Sequence, residues 1–384
     1  MALKIADRGR VPPFIVMDVL REANARAAAG HGVLHLEVGQ PGAGAPAGVI
    51  AAAQRAMTAG PLGYSEALGV PALRRRIARH YAEAYGVELD PQRVVVTPGS
   101  SGAFILAFLA AFEAGDRVAL AAPGYPAYRN ILSALGLEVV EVPVGPAERF
   151  QPTPELLRAC GRLDGVIVAS PSNPTGTMLD RPALEALARY CSEAGVRLIS
   201  DEIYHGITYD APAVSALETG DEAIVVNSFS KYYAMTGWRL GWLVLPPELV
   251  RPVECLAQNL FIAASTLSQE AALAAFDCGD ELEGHVQVYA RNRARLLAML
   301  RDVGLDGDVA PPDGAFYLYL DVGRFTNDSP QLCRRLLQET GVALTPGLDF
   351  DPARGHRTLR ISFAASEADV AEAADRLAAW FGKG

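Results

Sequence analysis

Four short strings hold the polar residues best placed to do chemistry. SFSKYYAMTGWRLGW (228–242) sets one amine, Lys231, between Ser228 and Ser230 on one side and two tyrosines on the other, with Arg239 eight residues later. GSSG (99–102) offers Ser100 and Ser101 between glycines, SNPTG (172–176) offers the Asn173 amide, and DEIY (201–204) offers the Asp201 carboxylate with the Tyr204 phenol. Taken singly, each has a plain explanation. A lysine belongs in a solvated loop, serine is an ordinary helix cap, NPTG is a good turn, and Asp201 could cap a helix or turn. Yet Asp201 follows the run VRLIS, so its carboxylate is expected to be desolvated and to need a cation or donors nearby. Together the strings supply an anion cradle, an amide, a buried carboxylate with a phenol, and an ammonium with hydroxyls and a guanidinium. The combination is far more specific than any member.

These strings stand at the ends of expected strands. RVVVTP (93–98) precedes GSSG, DGVIVASP (164–171) precedes SNPTG, VRLISDE (196–202) contains Asp201, and EAIVVNSF (222–229) precedes Lys231. RVALAA (117–122) and LEVVEVPV (137–144) are further β-branched runs, and helical text such as PALRRRIARHYAEAYG (71–86) and PALEALARYCSEAG (182–195) lies between strands. Runs apolar on both faces and separated by helices predict an α/β fold with a mainly parallel sheet covered on both sides. In such sheets ligands bind beyond the carboxyl ends of the strands. After about residue 280 a long connecting helix, GAFYLYLDV, VALTPG, LRISFA and a final helix predict a smaller α/β domain joined by the N-terminal segment.

Composition narrows the function. The chain has 384 residues, half of them hydrophobic, with a formal net charge of −10. That acidity argues against nucleic acid or an anionic membrane as partner. Five scattered cysteines without CxxC argue against a disulfide framework and favour a reducing cytoplasm. The start, MALKIADRGRVPPF, lacks the apolar stretch of a secretory signal, and AFILAFLAAF (103–112) is too short to span a bilayer. HExxH, the P-loop and GxSxG are absent, and GAGAPAG (42–48) misses GxGxxG spacing. A soluble, cytoplasmic, metal-free enzyme is expected.

The strings resemble, in order and spacing, the class I/II aminotransferases of the pyridoxal 5′-phosphate-dependent fold-type I group. The resemblance runs through LEVGQPGAGAP (36–46), GYSEALGVPALRRRIA (63–78), VTPGSSGA (96–103), PGYPAY (123–128), SPSNPTG, SDEIY, SFSKYYAMTGWRLGW and LRISFA (359–364). It implies a large cofactor domain over 41–283 with a seven-stranded type of sheet, a small C-terminal domain over 284–384, and an N-terminal segment, 1–40, packing with the latter. It also implies a ping-pong transfer between an L-amino acid and a 2-oxo acid. Lys231 would hold the cofactor as an internal aldimine and carry the proton as base and acid.

On the same resemblance Asp201 would keep the pyridine nitrogen protonated. Asn173 and Tyr204 would bond the phenolic oxygen, and Tyr125 would stack on the ring. Ser100, Ser101, Ser228 and Arg239 would cup the phosphate, with Ser230 a lesser candidate. Arg360, Asn173 and the Gly39 backbone would take the substrate carboxylate. Tyr64 would reach the phosphate of a neighbouring subunit, which makes the active site shared and the protein a homodimer. One aspartate-using subgroup of the family carries a lysine where Ser101 stands, and PPFIVMDVL (12–20), which often borders the substrate mouth in this family, is apolar apart from Asp18. A neutral, apolar or aromatic donor is therefore expected, although FIVM reads equally as the buried face of a helix. FDPARGH (350–356) departs from the commoner glycine-bearing text, and the sequence assigns it no role. The shared motifs also admit a carbon–sulfur β-lyase, or a non-catalytic cofactor-binding regulator. The regulators usually carry an added DNA-binding domain, and this chain begins almost directly with enzyme-like text.

Overall fold

The computed structural model describes residues 3–382. Its N-terminal helix α1 (Ile15–Ala28) leads to a two-residue strand, β1 (Leu34–His35), and to helices α2 (Ala47–Ala59) and α3 (Pro71–Tyr85). Helix α3 starts on a proline and stops at Gly86, whose φ of 68° is left-handed. Both signals were legible in the text.

The central layer then follows as β2 (Val94–Thr97), α4 (Gly99–Ala111), β3 (Arg117–Ala122), α5 (Pro126–Leu135), β4 (Glu138–Pro143), β5 (Gly165–Ala169), β6 (Arg197–Asp201), β7 (Ile224–Ser228) and β8 (Gly241–Val244). These strands form a seven-stranded sheet in the order β2-β8-β7-β6-β5-β3-β4. The run from β7 to β4 is parallel, while β8 is antiparallel to both β7 and β2. The expected α/β architecture is what forms.

Alternate residues of each strand feed two separate cores. Val95, Ile167, Ile199, Val226 and Leu243 face one helical layer, and Val96, Val166, Leu198, Val225 and Trp242 face the other. The strict period of two explains why these strands read as continuous apolar runs. Chain order reverses between β3 and β5, so the carboxyl ends of β3, β5, β6 and β7 surround a switch-point crevice.

A long helix, Gly279–Asp302, leads to the C-terminal strands β9 (Tyr317–Asp321), β10 (Val342–Ala343), β11 (Thr345–Pro346) and β12 (Thr358–Ser362). β11, β12 and β9 make an antiparallel sheet, and β10 pairs in parallel with β1 through Leu34↔Val342. Among the described residues no helix is long and apolar enough to cross a membrane. AFILAFLAAF belongs to α4, most of which is buried against the sheet.

Candidate active site

Strand ends deliver the polar groups to one cavity of about 180 Å³. The first turn of α4 gives it Ser100 and Ser101, the β5 end gives Asn173, and the turn after β7 gives Ser230, Lys231 and Arg239. Arg360 arrives from β12, and Gly39 from the segment after β1. Lys231, Arg239 and Arg360 line this space, while no Asp or Glu among the described residues does. Such a donor set calls for a ligand with negative charge at both ends.

At one end, α4 begins at Gly99 with φ +71° and no side-chain cap, leaving its first N–H groups to an outside acceptor. A Cβ on Gly99 would lie 2.4 Å from Arg239 Nη2, so only glycine lets the guanidinium approach this helix terminus. Arg239 itself is left-handed, φ 51°, and donates Nη1 to Thr236 O at 3.0 Å. Ser230 lies on the wall, whereas Ser228 stands behind it, donating to Leu240 O (3.1 Å) and within 2.8 Å of the Ser230 hydroxyl. The Ser228 oxygen also accepts the Ser230 N–H at 3.0 Å, a local turn that turns Ser230 rather than Ser228 toward the cavity.

At the other end, Arg360 is buried without a carboxylate partner among the described residues. Its Nη1 donates to Asn173 Oδ1 at 2.8 Å, Nη2 donates to Glu37 O and Thr345 Oγ1, and Nε has no partner. Tyr317 and Phe350 flank the guanidinium at 4.4 and 4.7 Å. A buried cation with only neutral acceptors is poised for an anion that arrives from outside.

Between the two ends, Lys231 Nζ donates to Gly39 O at 2.7 Å. Burial, then the charges of Arg360 and Arg239, push its ammonium down to about 8, and Asp201 pulls partly the other way. Asp201 is buried, and burial raises its carboxyl to about 6 despite donation from the Tyr128 hydroxyl and from Ile203 N at 3.1 Å. It stands behind the wall, beside Ala169 and Ile203, which line it.

Tyr125 edges against Tyr128 and Phe14 with ring centroids at 5.2 and 5.8 Å. Tyr204 shares a 2.7 Å hydrogen bond with the Tyr317 hydroxyl. A Cβ on Gly39 would fall 1.7 Å from that hydroxyl, so Gly39 is required by close approach. Tyr64 is 85% exposed and lies outside this cavity.

Two tyrosines of the site escaped the sequence reading. Tyr128 sits one helical turn beyond Tyr125 in PGYPAY, a spacing that could have flagged it. Tyr317 carries no local signal, because in GAFYLYLDV it is one more alternating aromatic. Behind the cavity a second network fixes the Asn173 loop. His205 Nε2 donates to Ser170 O at 2.9 Å, so its Nδ1 accepts the Tyr85 hydroxyl at 2.8 Å. Burial holds His205 down to about 4, hence neutral at pH 7.

With this geometry in view, the comparisons are specific. The family model for aminotransferase class I and II matches residues 31–377. The valine–pyruvate aminotransferase of Mycobacterium tuberculosis is 54% identical, with 99% of each chain covered. A crystal structure of an aminotransferase from Mycobacterium tuberculosis superposes with TM-score 0.97 at 52% identity, covering 100% of both chains. Aspartate aminotransferase from Thermus thermophilus with maleate gives TM-score 0.93 at 32% identity, covering 98% of this chain and 100% of that one. The chain belongs to the class I and II aminotransferases, pyridoxal 5′-phosphate enzymes that move an amino group between an amino acid and a 2-oxo acid.

Proposed function

We propose that the amino donor is valine or a similar neutral, apolar amino acid and that pyruvate is an acceptor. The observation that carries this reading is the apolar part of the cavity wall, where Phe14, Val16 and Met17 line the same space as Arg360. Asp18 pairs with Arg21 at 2.8 Å and does not line the cavity. The named activity of the 54% identical relative supports it. In a donor panel with pyruvate, kcat/KM for valine should exceed that for aspartate by at least about tenfold, the order of discrimination that one missing complementary contact provides. A preference for aspartate would end this reading.

The residues fit pyridoxal phosphate, on the evidence of the anion-seeking α4 terminus, the Gly99–Arg239 contact and the cationic wall. We assign the phosphate to the N–H groups and hydroxyls of Ser100 and Ser101, to Arg239, and to Ser230 backed by Ser228. Asp201 takes the ring nitrogen, Asn173 and Tyr204 the phenolic oxygen, and Tyr125 the ring face. When bound, the cofactor supplies a carbonyl for the amino group and a ring that accepts the electron pair left at Cα.

Lys231 Nζ moves the proton to and from the substrate Cα. Arg360, steadied by Asn173, grips the carboxylate and orients the Cα–H bond toward that amine. Tyr317 holds the Tyr204 hydroxyl, and Phe14 with Tyr125 keeps water from the reacting face.

Two expectations arise here. Arg360→Ala should weaken donor binding by roughly 1.5–3 kcal/mol, the cost of a lost charge-assisted contact, read as a higher KM for every donor. An unchanged KM removes Arg360 from the site. Cofactor capture by the apoenzyme needs the neutral Lys231 amine. With that group at about 8, the capture rate should rise about tenfold per pH unit below 8 and level off above it. Stopped-flow absorbance at a series of pH values measures this.

The active unit is proposed to be a cytoplasmic homodimer. Exposed Ile50, Met57, Leu62, Tyr64, Leu260 and Ile262 support an apolar interface. Thr266 Oγ1 donates to Gly63 O at 2.6 Å and Gln269 holds Ser65 and Val70, which ties the Tyr64 loop to the helix Thr266–Leu273. Tyr64 would then complete the phosphate site of the partner subunit. All five cysteines are free, as a reducing compartment allows. The division at 40/41 and 283/284 belongs to the same proposal, supported by the β1–β10 pairing and by Thr345 Oγ1 donating to Glu37 O at 2.8 Å.

A further inference from the structure

Helix α1 has no cap of its own. Phe14 occupies the N-cap position and offers no side-chain acceptor. The first N–H groups are instead taken by one carboxylate far along the chain. Ile15 N donates to Asp349 Oδ1 at 3.0 Å and Val16 N to Asp349 Oδ2 at 3.1 Å. Asp349 is 2% exposed and has no ion-pair partner among the described residues. A buried carboxylate held by two helix N–H groups is a strong, directional cap. It is an unusual one, because cap and helix come from opposite ends of the chain.

Asp349 immediately precedes FDPARGH (350–356), the segment that departs from the commoner glycine-bearing text. Both follow β11, whose Thr345 pairs with Arg360 of β12. Phe350, the next residue, packs on the Arg360 guanidinium at 4.7 Å, and its carbonyl accepts Gly124 N at 3.0 Å, beside Tyr125. Arg129 Nη2 donates to Asp349 O at 3.2 Å. Asp351 caps the following turn through Ala353 N and Arg354 N at 3.1 and 2.9 Å, and Arg354 reaches Ala122 O and Val144 O. One loop thus joins the carboxylate grip, the Tyr125 turn and the start of α1. That start carries Phe14, Val16 and Met17 into the cavity.

We propose that Asp349 is a specificity-determining positioning residue: by capping α1 it fixes the apolar wall relative to Arg360 and so sets which donor side chains fit. The donor carboxylate is fixed by Arg360, so the space left for its side chain is the gap between Arg360 and this wall. Holding both from one loop keeps that gap constant. Asp349 does not line the cavity; it acts through α1, and its charge also faces Arg360 and Arg129. The inference rests on the neutral-donor reading above.

The test compares Asp349→Ala and the isosteric Asp349→Asn with wild type as holoenzymes. Hydrogen–deuterium exchange over residues 14–20 should accelerate at least about tenfold in Asp349→Ala, and less in Asp349→Asn, which keeps one acceptor oxygen. The kcat/KM for valine should fall about tenfold, through KM, while that for phenylalanine falls less, so the ratio between the two shrinks. The visible spectrum and kcat should stay within about twofold of wild type. Unchanged exchange, or an equal loss for both donors carried by kcat, would overturn the role of Asp349. An enzyme that refuses valine overturns the donor reading instead, and the exchange rates still decide on Asp349.

Discussion

Lys231→Ala is expected to lower kcat by at least about 10⁴-fold, the upper range of what a positioned acid–base group supplies, with the loss of covalent cofactor attachment added to it. Among the described residues no other amine lines the cavity. Arg360 and Arg239 line the same cavity, but guanidinium groups do not give up a proton near neutral pH. Burial and two neighbouring cations bring Nζ down to about 8, so a useful fraction is neutral under ordinary conditions, as the proposed role requires. Borohydride reduction followed by peptide mapping should leave the cofactor on the Lys231 peptide of the wild type and on no peptide of the variant. Labelling that persists elsewhere with activity retained would remove Lys231 from the mechanism.

The second large effect concerns Asp201. Asp201→Asn should reduce kcat by about 10²- to 10⁴-fold, because breaking one buried charge pair costs on the order of 3–5 kcal/mol. The same substitution should not lower the thermal midpoint of the apoenzyme at pH 7. The folded Asp201 carboxyl is raised to about 6 from 3.8. The folded state therefore binds more protons than the unfolded state between those values, and the contribution of this group to stability falls as pH rises through that window. At neutral pH the buried carboxylate is a cost that the apoprotein bears for function. Asparagine removes that charge and retains an acceptor for Tyr128. A variant with more than a tenth of wild-type kcat would exclude Asp201 from the site.

Most of this arrangement was legible in the text because the chemistry sits at strand ends. Val-Ile-Val-Ala and Leu-Ile-Ser-Asp mark buried parallel strands and Val-Val-Val-Thr a buried edge strand paired antiparallel with β8, and the polar residues at their carboxyl ends lie at one edge of the sheet. Lys231, Asp201, Asn173 and Ser100 are found that way. What escaped depends on side chains meeting across long separations. Tyr317 joins the site by filling the space Gly39 leaves empty, and no local pattern encodes such a fit. Asp349 caps a helix 334 residues away in sequence. Ser230 lines the cavity with Ser228 hydrogen-bonded behind it, an arrangement inside the turn that no local pattern encodes. Tyr64 lies exposed outside the cavity of its own chain.

The pairing of β1 with β10 bears on how the protein is made. Leu34 and His35 form a ladder with residues 342–343, and the Glu37 carbonyl that receives Arg360 lies 323 positions before it. Contacts of such separation close late, after most of the loop-closure entropy has been met. On the ribosome the seven-stranded layer, complete by Val244, has all its strands long before the partner of β1 is synthesised. On the proposed role of Arg360, the carboxylate grip can form only after these late-synthesised residues are in place. A chain stopped before β10 would keep much of its sheet and lack catalysis, so activity reports complete synthesis where a measure of secondary structure would not.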